Sequence, residues 1–201
     1  MIQNSQEDRR KSMKVLGVTG GTCSGKTVVC RILKDQGGKI IDADKITRKL
    51  QEPVEIVYDE IRDHFGPEII APDGSIDRKK LGNIVFNDKA ERAVLNKIVH
   101  TRVSQEIKRR VAKYRDQGDI PFCVLDVPIP IEEGFFDTAD CVWAVIANND
   151  IRVERLMKRM DLSEAEAEAR IAAQLSNREY EVGRGHSKRI NCRRAFEACI
   201  I

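Results

Sequence analysis

No apolar stretch in the chain approaches the roughly 20 residues a bilayer-spanning helix needs. The start, Met1 to Lys14, is polar and holds no apolar signal core. Residues 1–12 read as a disordered extension, with Met13 as an alternative start. The six cysteines (Cys23, Cys30, Cys123, Cys141, Cys192 and Cys199) include no C-x-x-C pair, and the three histidines lie far from them in sequence. That argues against a zinc site and a disulfide framework, and fits a reducing, cytoplasmic setting. A strong charge of one sign is missing as well. Lys plus Arg is 35 and Asp plus Glu is 32, a net charge of +3, which gives no case for nucleic acid as the main partner. There is no internal repeat and no low-complexity tract.

What is present is a globular mixture, 41% hydrophobic and 33% charged, in a length that suits one domain with inserts. Lys14 to Thr19 is a short apolar run ending in glycines and reads as a buried parallel strand. Lys26 to Gln36 reads as a helix stopped by Gly37 and Gly38, and Lys39 to Asp42 as a second strand, which completes a βαβ unit. Helical spacing follows over Pro53 to Phe65, with Pro72-Asp73-Gly74 as a turn. Asp77 and Asp88 are placed to cap further helices, and Glu91 to Tyr114 is largely helical. Pro121 to Val127 and Cys141 to Ala147 read as strands and Asp150 to Met160 as a helix. Another helix begins at Ser163, with Glu166 set for a capping box. Strands separated by helices mean an α/β fold with a mainly parallel sheet, interrupted by a helical insert over about Pro53 to Asp116.

Gly20-Gly21-Thr22-Cys23-Ser24-Gly25-Lys26-Thr27 fits G-x-x-x-x-G-K-[ST], the phosphate-binding P-loop. Glycines let backbone N–H groups turn around phosphate oxygens, Lys26 supplies a cation between β- and γ-phosphates, and Thr27 offers a hydroxyl to Mg²⁺. The helix start adds a favourable field for an anion. A Gly-rich turn before a helix is the plain alternative, but chance gives such a match in about one chain in a hundred of this length. Here it also follows a strand and precedes a helix. The ATP contacts expected are Gly21, Thr22, Cys23, Ser24, Gly25, Lys26, Thr27 and Val28. Cys23, close to a helix start, has a position that can lower a thiol pKa. No N-K-x-D guanine-reading segment is present, since Asn148-Asn149-Asp150 does not fit it.

Asp42-Ala43-Asp44 places two carboxylates at the end of the second strand, on the rim where parallel sheets bind ligands. Either could orient an acceptor hydroxyl or take its proton, and either could cap a helix; the spacing alone leaves both readings open. Arg152, Arg155 and Arg159 share one helical face, which on its own reads most simply as a solvated basic face.

Taken together, Thr19 to Thr27 and Asp42 to Arg48 resemble the dephospho-CoA kinase family, with its T-G-G-x-x-[SA]-G-K-[ST] and D-A-D-x-I-x-R segments. The resemblance continues through Phe65 to Ile69, Asp73 to Arg78, Ile84-Val85-Phe86, Val99 to Arg102, Asp126-Val127-Pro128, Arg155 to Arg159 and Ala169 to Gln174, covering roughly Lys14 to Arg178. It implies a P-loop three-layer fold with a helical acceptor-binding insert and a helical lid. It implies transfer of the ATP γ-phosphate to the ribose 3′-hydroxyl of dephospho-CoA, with ATP and Mg²⁺ as cofactors. By the same resemblance Asp44 is the catalytic carboxylate. Arg48, His100 and Arg102 lie on the acceptor side, Asp126 joins Thr27 near the metal, and Arg159, with Arg155, closes over the phosphates. The partner implied is a small molecule, with no nucleic acid or membrane, and the chain works as a monomer or weak homo-oligomer. Another small-metabolite kinase, or a nucleotide-binding relative without activity, are the competing readings.

Three departures stand out. Thr101 replaces a proline after His100. Pro130 and Ile131 replace leucine and phenylalanine before Glu132, and Pro130 fixes φ and removes a donor. After about Arg178 the family's last strand and adenine-holding loop give way to a basic tail, Asn177 to Ile201, with no clear strand signal. A change of reading frame near Tyr180 would account for it. The tail predicts weak local order before Arg194 and an incomplete sheet edge.

Overall fold

The computed structural model describes residues 13–128, 137–182 and 187–191. The expectations for residues 1–12, for Pro130 and Ile131, and for the stretch beyond Asn191 fall outside the described residues. The chain divides into two compact units, residues 1–42 with 110–201 and residues 43–109.

The first unit is built on five strands, β1 (Lys14–Thr19), β2 (Lys39–Asp42), β3 (Phe122–Asp126), β4 (Cys141–Ile146) and β5 (Ser187–Asn191), in the order β2-β3-β1-β4-β5. Every neighbouring pair is parallel. A parallel sheet is covered on both faces, so its central strands are apolar throughout. Val15 and Val18 of β1 and Val124 and Leu125 of β3 are all fully buried. Helix α1 (Lys26–Asp35) packs Val29, Cys30 and Leu33 against Leu16, Val18, Val124 and Val145. It ends as the glycines predict. Gly37 is left-handed at φ +91°, and the N–H groups of Gly37 and Gly38 return to the carbonyls of Lys34 (2.9 Å) and Leu33 (3.0 Å), a Schellman stop. Beyond β4, α6 (Asn149–Met160) and α7 (Glu164–Ala172) form a hairpin closed by Leu156, Ala167 and Ile171, followed by the short α8 (Asn177–Val182). The capping box at Ser163 and Glu166 is formed as its spacing predicts.

The second unit contains α2 (Ala43–Leu50), α3 (Ile56–Phe65), a 3₁₀ turn at Pro67–Ile69, α4 (Arg78–Asn87) and residues 89–109 of α5 (Lys89–Gln117). Its core is Val57, Ile61, Phe65, Ile69 and Leu81. Asp77 caps α4, its carboxylate accepting from the N–H groups of Lys79 (3.0 Å) and Lys80 (3.1 Å).

Two expectations need correction. Helix α3 starts at Ile56, not Pro53, and α2 precedes it from Ala43. The tail does carry a strand: β5 pairs in parallel with β4 from Val142–Ser187 to Ile146–Asn191 and completes the sheet edge. Its sequence, Ser-Lys-Arg-Ile-Asn, has one apolar residue, so hydrophobic alternation cannot reveal it. An edge strand is held largely by backbone hydrogen bonds, and charged residues are common there.

Candidate active site

The loop between β1 and α1 has the backbone its composition demands. Gly20 sits at φ +149°, and a Cβ there would come 2.3 Å from the carbonyl oxygen of Val145. Gly25 is left-handed at φ +105° and no side chain caps α1. The first turn of α1 therefore keeps N–H donors for an anion. Cys23 is left-handed at φ +61°, which costs a non-glycine residue about 1–2 kcal/mol. The strain is held by the hairpin: Cys23 packs on the Leu156, Ala167 and Ile171 cluster, and Arg155 donates to its carbonyl at 3.1 Å.

Lys26 is half-buried and ion-paired with Asp126, the last residue of β3. Asp126 lies in register with Val18 of β1 and Asp42 of β2, so two carboxylates stand on neighbouring strands at the carboxyl edge of the sheet, beside the loop. Thr27 is exposed in the first turn of α1. Among the described residues no cluster of three His, Cys, Asp or Glu forms a metal cage. One hydroxyl and one carboxylate still fit magnesium, which usually takes one or two protein ligands and fills the rest with phosphate and water. The hydroxyls of Thr19 and Ser24, buried beside and within the loop, have no hydrogen-bond partner among the described residues, which leaves polar atoms free at this site.

Sequence reasoning missed what holds the loop from behind. Arg152 of α6 is buried. It donates from Nε to the carbonyl of Thr22 (3.0 Å), from Nη2 to Gln174 Oε1 (2.9 Å) and from Nη1 to Asn149 Oδ1 (3.3 Å). Gln174 in turn accepts from the Thr22 N–H (2.9 Å) and donates to the Thr22 hydroxyl (2.6 Å). The N–H of Thr22 is thus committed to Gln174. The solvated-face reading of the three arginines fails at Arg152 and holds for Arg159, which is exposed near the end of α6. A cleft of about 470 Å³ opens beside the loop, lined among others by Gly20, Gly21, Thr22, Pro128, Gln174 and Tyr180. Tyr180 is buried and donates to the carbonyl of Pro128 at 3.3 Å. Burial marks Cys30 and Cys123, whose thiols are both pushed up to about 12 by desolvation.

In the second unit Asp44 is exposed in the first turn of α2, two residues after β2 ends, and Arg48 is exposed one helical turn further on. Arg102 lines a groove of about 620 Å³ with Glu60, Asp63, His64, Lys97 and Gln105. It is ion-paired with Glu60, its Nε at 3.0 Å from one carboxylate oxygen, which holds the guanidinium proton more firmly than usual. Arg48 and His100 do not line that groove.

A family model described as dephospho-CoA kinase matches residues 14–183. A dephospho-CoA kinase of Symbiobacterium thermophilum is 46% identical over 164 residues, 82% of this chain and 68% of that protein. One of Moorella thermoacetica is 42% identical over 162 residues, 81% and 76% of the two chains. Among solved structures, a Thermus thermophilus protein superposes with a TM-score of 0.71 at 26% identity, covering 94% of this chain and 98% of its own. The dephospho-CoA kinase of Campylobacter jejuni gives 0.59 at 26%, covering 88% of each. The family match ends at residue 183, just before β5, close to where the tail departs. The chain belongs to the dephospho-CoA kinase family of P-loop kinases, whose reaction moves the ATP γ-phosphate to dephospho-CoA in the last step of CoA biosynthesis.

Proposed function

We propose that this chain is an active ATP-dependent phosphotransferase acting on the ribose 3′-hydroxyl of dephospho-CoA. The observation that carries the reading is Lys26, set in a strand–loop–helix phosphate cradle and steadied by Asp126 at the carboxyl edge of the sheet. The N–H donors at the start of α1 and the loop from Gly21 to Val28 bind the phosphates, and the adjoining cleft has room for the rest of the nucleotide. Lys26 offsets charge that grows on the transferred group and the leaving oxygen. Magnesium, held through Thr27 and Asp126, would neutralise charge on the bound phosphates. Asp44, exposed in the first turn of α2, orients the acceptor hydroxyl and takes its proton. Arg48, His100 and Arg102 bind the acceptor's anionic groups, and Arg155 and Arg159 act on the phosphate side from α6. Completion of the sheet edge by β5 supports activity over the inactive reading. A coupled assay for ADP release tests this. Turnover should require dephospho-CoA and disappear in Lys26→Ala and Asp44→Ala. Turnover on a nucleoside monophosphate in place of dephospho-CoA, or none at all from a folded chain that binds ATP, would overturn it.

A further inference from the structure

Among the described residues Arg152 is the one charged side chain that is buried, with 1% of its surface exposed. Its partners are all neutral oxygens: the Thr22 carbonyl, Gln174 Oε1 and Asn149 Oδ1. No carboxylate among the described residues pairs with it. Burial therefore works against its charged form, offset only in part by Tyr180 and Cys23. A guanidinium does not lose its proton in such a site, so the charge remains. Neutral oxygens orient that charge without cancelling it, and an uncompensated buried cation is costly. The cost falls at one place in the molecule. A Cβ on Gly21 would lie 2.5 Å from Arg152 Nη2, so the cation sits directly against the phosphate loop. Gln174 fixes this arrangement, because the same side chain grips the N–H and hydroxyl of Thr22 and one arm of the guanidinium.

We infer that Arg152 is a positioning residue of the phosphate site, whose unpaired buried charge is completed by the nucleotide's phosphates while its fork, set by Gln174, fixes the loop at Thr22. The inference deepens the nucleotide reading given above and rests on it. It assigns to the base of the α6–α7 hairpin a part in phosphate binding that needs no hairpin movement. Because the charge is buried, its pull on an anion is screened less by salt than that of the exposed Arg155 and Arg159. It also grows with the number of phosphates bound.

Titration calorimetry of the full chain with tripolyphosphate and with pyrophosphate separates charge from scaffold. Arg152→Gln, which keeps polar contacts and removes the charge, should raise the tripolyphosphate Kd about tenfold and the pyrophosphate Kd less. Arg152→Lys, which keeps the charge and loses the fork, should lose less tripolyphosphate affinity than Arg152→Gln does. Gln174→Leu, which leaves the charge and removes the clamp, should weaken tripolyphosphate less than Arg152→Gln does. In the kinetic assay Arg152→Gln should raise the ATP KM in step with Kd and lower kcat by less. A folded Arg152→Gln with unchanged tripolyphosphate affinity overturns the inference and leaves the nucleotide reading standing. An unaltered protein that binds no tripolyphosphate takes down both. If circular dichroism shows Arg152→Gln unfolded, the other two variants decide. A loss well short of tenfold in Arg152→Lys sustains the charge role, and a tenfold loss there, matched in Gln174→Leu, overturns it.

Discussion

Arg152 in the sheet unit and Arg102 in the helical unit are both held by several hydrogen bonds, yet their charges are treated oppositely. Arg102 is half-exposed and neutralised by Glu60. Arg152 is buried, and its partners are neutral. The first can bind an anionic acceptor only by giving up or sharing a carboxylate. The second already waits for an anion. On the proposed reading the nucleotide side is preorganised for phosphate, while the acceptor side would exchange one ion pair for another, which favours selectivity over tightness.

Five perturbations sharpen or break this contrast. The largest effect belongs to the phosphate cradle: Lys26→Ala should lower kcat/KM by at least about a thousandfold, whereas Arg102→Ala should cost about tenfold, mostly in the KM for acceptor. Steady-state kinetics with each substrate varied checks both. A larger loss from Arg102→Ala, or one seen in the ATP KM, would reverse the assignment of the two units. Next in size is a cavity in the helical core. Ile61→Ala, at a fully buried position, should destabilise that unit by about 2–5 kcal/mol in urea denaturation while leaving ATP affinity of the folded protein unchanged. Asp77→Ala removes the two-bond cap of α4 and should cost about 1 kcal/mol, again in the helical unit.

The smallest effect is a pH dependence confined to the sheet unit, because residues 43–109 contain no cysteine. Burial raises the Cys30 and Cys123 thiols from the ordinary 9.0 to about 12. The folded state then holds these protons where the unfolded chain releases them. Their contribution is fully present below pH 9 and is lost as pH rises from there towards 12. The double variant Cys30→Ala, Cys123→Ala should flatten this alkaline slope of the urea midpoint. An unchanged slope would place the alkaline sensitivity in other groups.

The same division governs what the sequence discloses. Lys14–Thr19, the loop after it and the Gly37–Gly38 stop are legible because their chemistry is local: a strand, glycines where the backbone turns, a lysine at the helix start. The cap at Asp77 and the box at Ser163 and Glu166 are read for the same reason. The Arg152–Gln174 hold on Thr22 joins residues 130 and 152 positions from the loop, and no periodicity carries such a pairing. Helix α2 did leave a signal, with Ala43, Ile46 and Leu50 at helical spacing, but it was masked by the acidic segment read for chemistry. Strand β5 left none, since one isoleucine among polar residues gives no alternation. The acceptor roles proposed for Arg48, His100 and Arg102 come only from resemblance, because no local backbone feature dictates them.

The most direct test of the central claim is to follow the phosphoryl group itself. The protein is incubated with magnesium, dephospho-CoA and ATP carrying an isotopic label in its γ-phosphate, and the products are resolved by mass spectrometry. The account predicts the label on the 3′-oxygen of newly formed CoA, in amounts equal to the ADP released, with none formed by Lys26→Ala. Label appearing only as free phosphate, at a rate indifferent to dephospho-CoA, would contradict it.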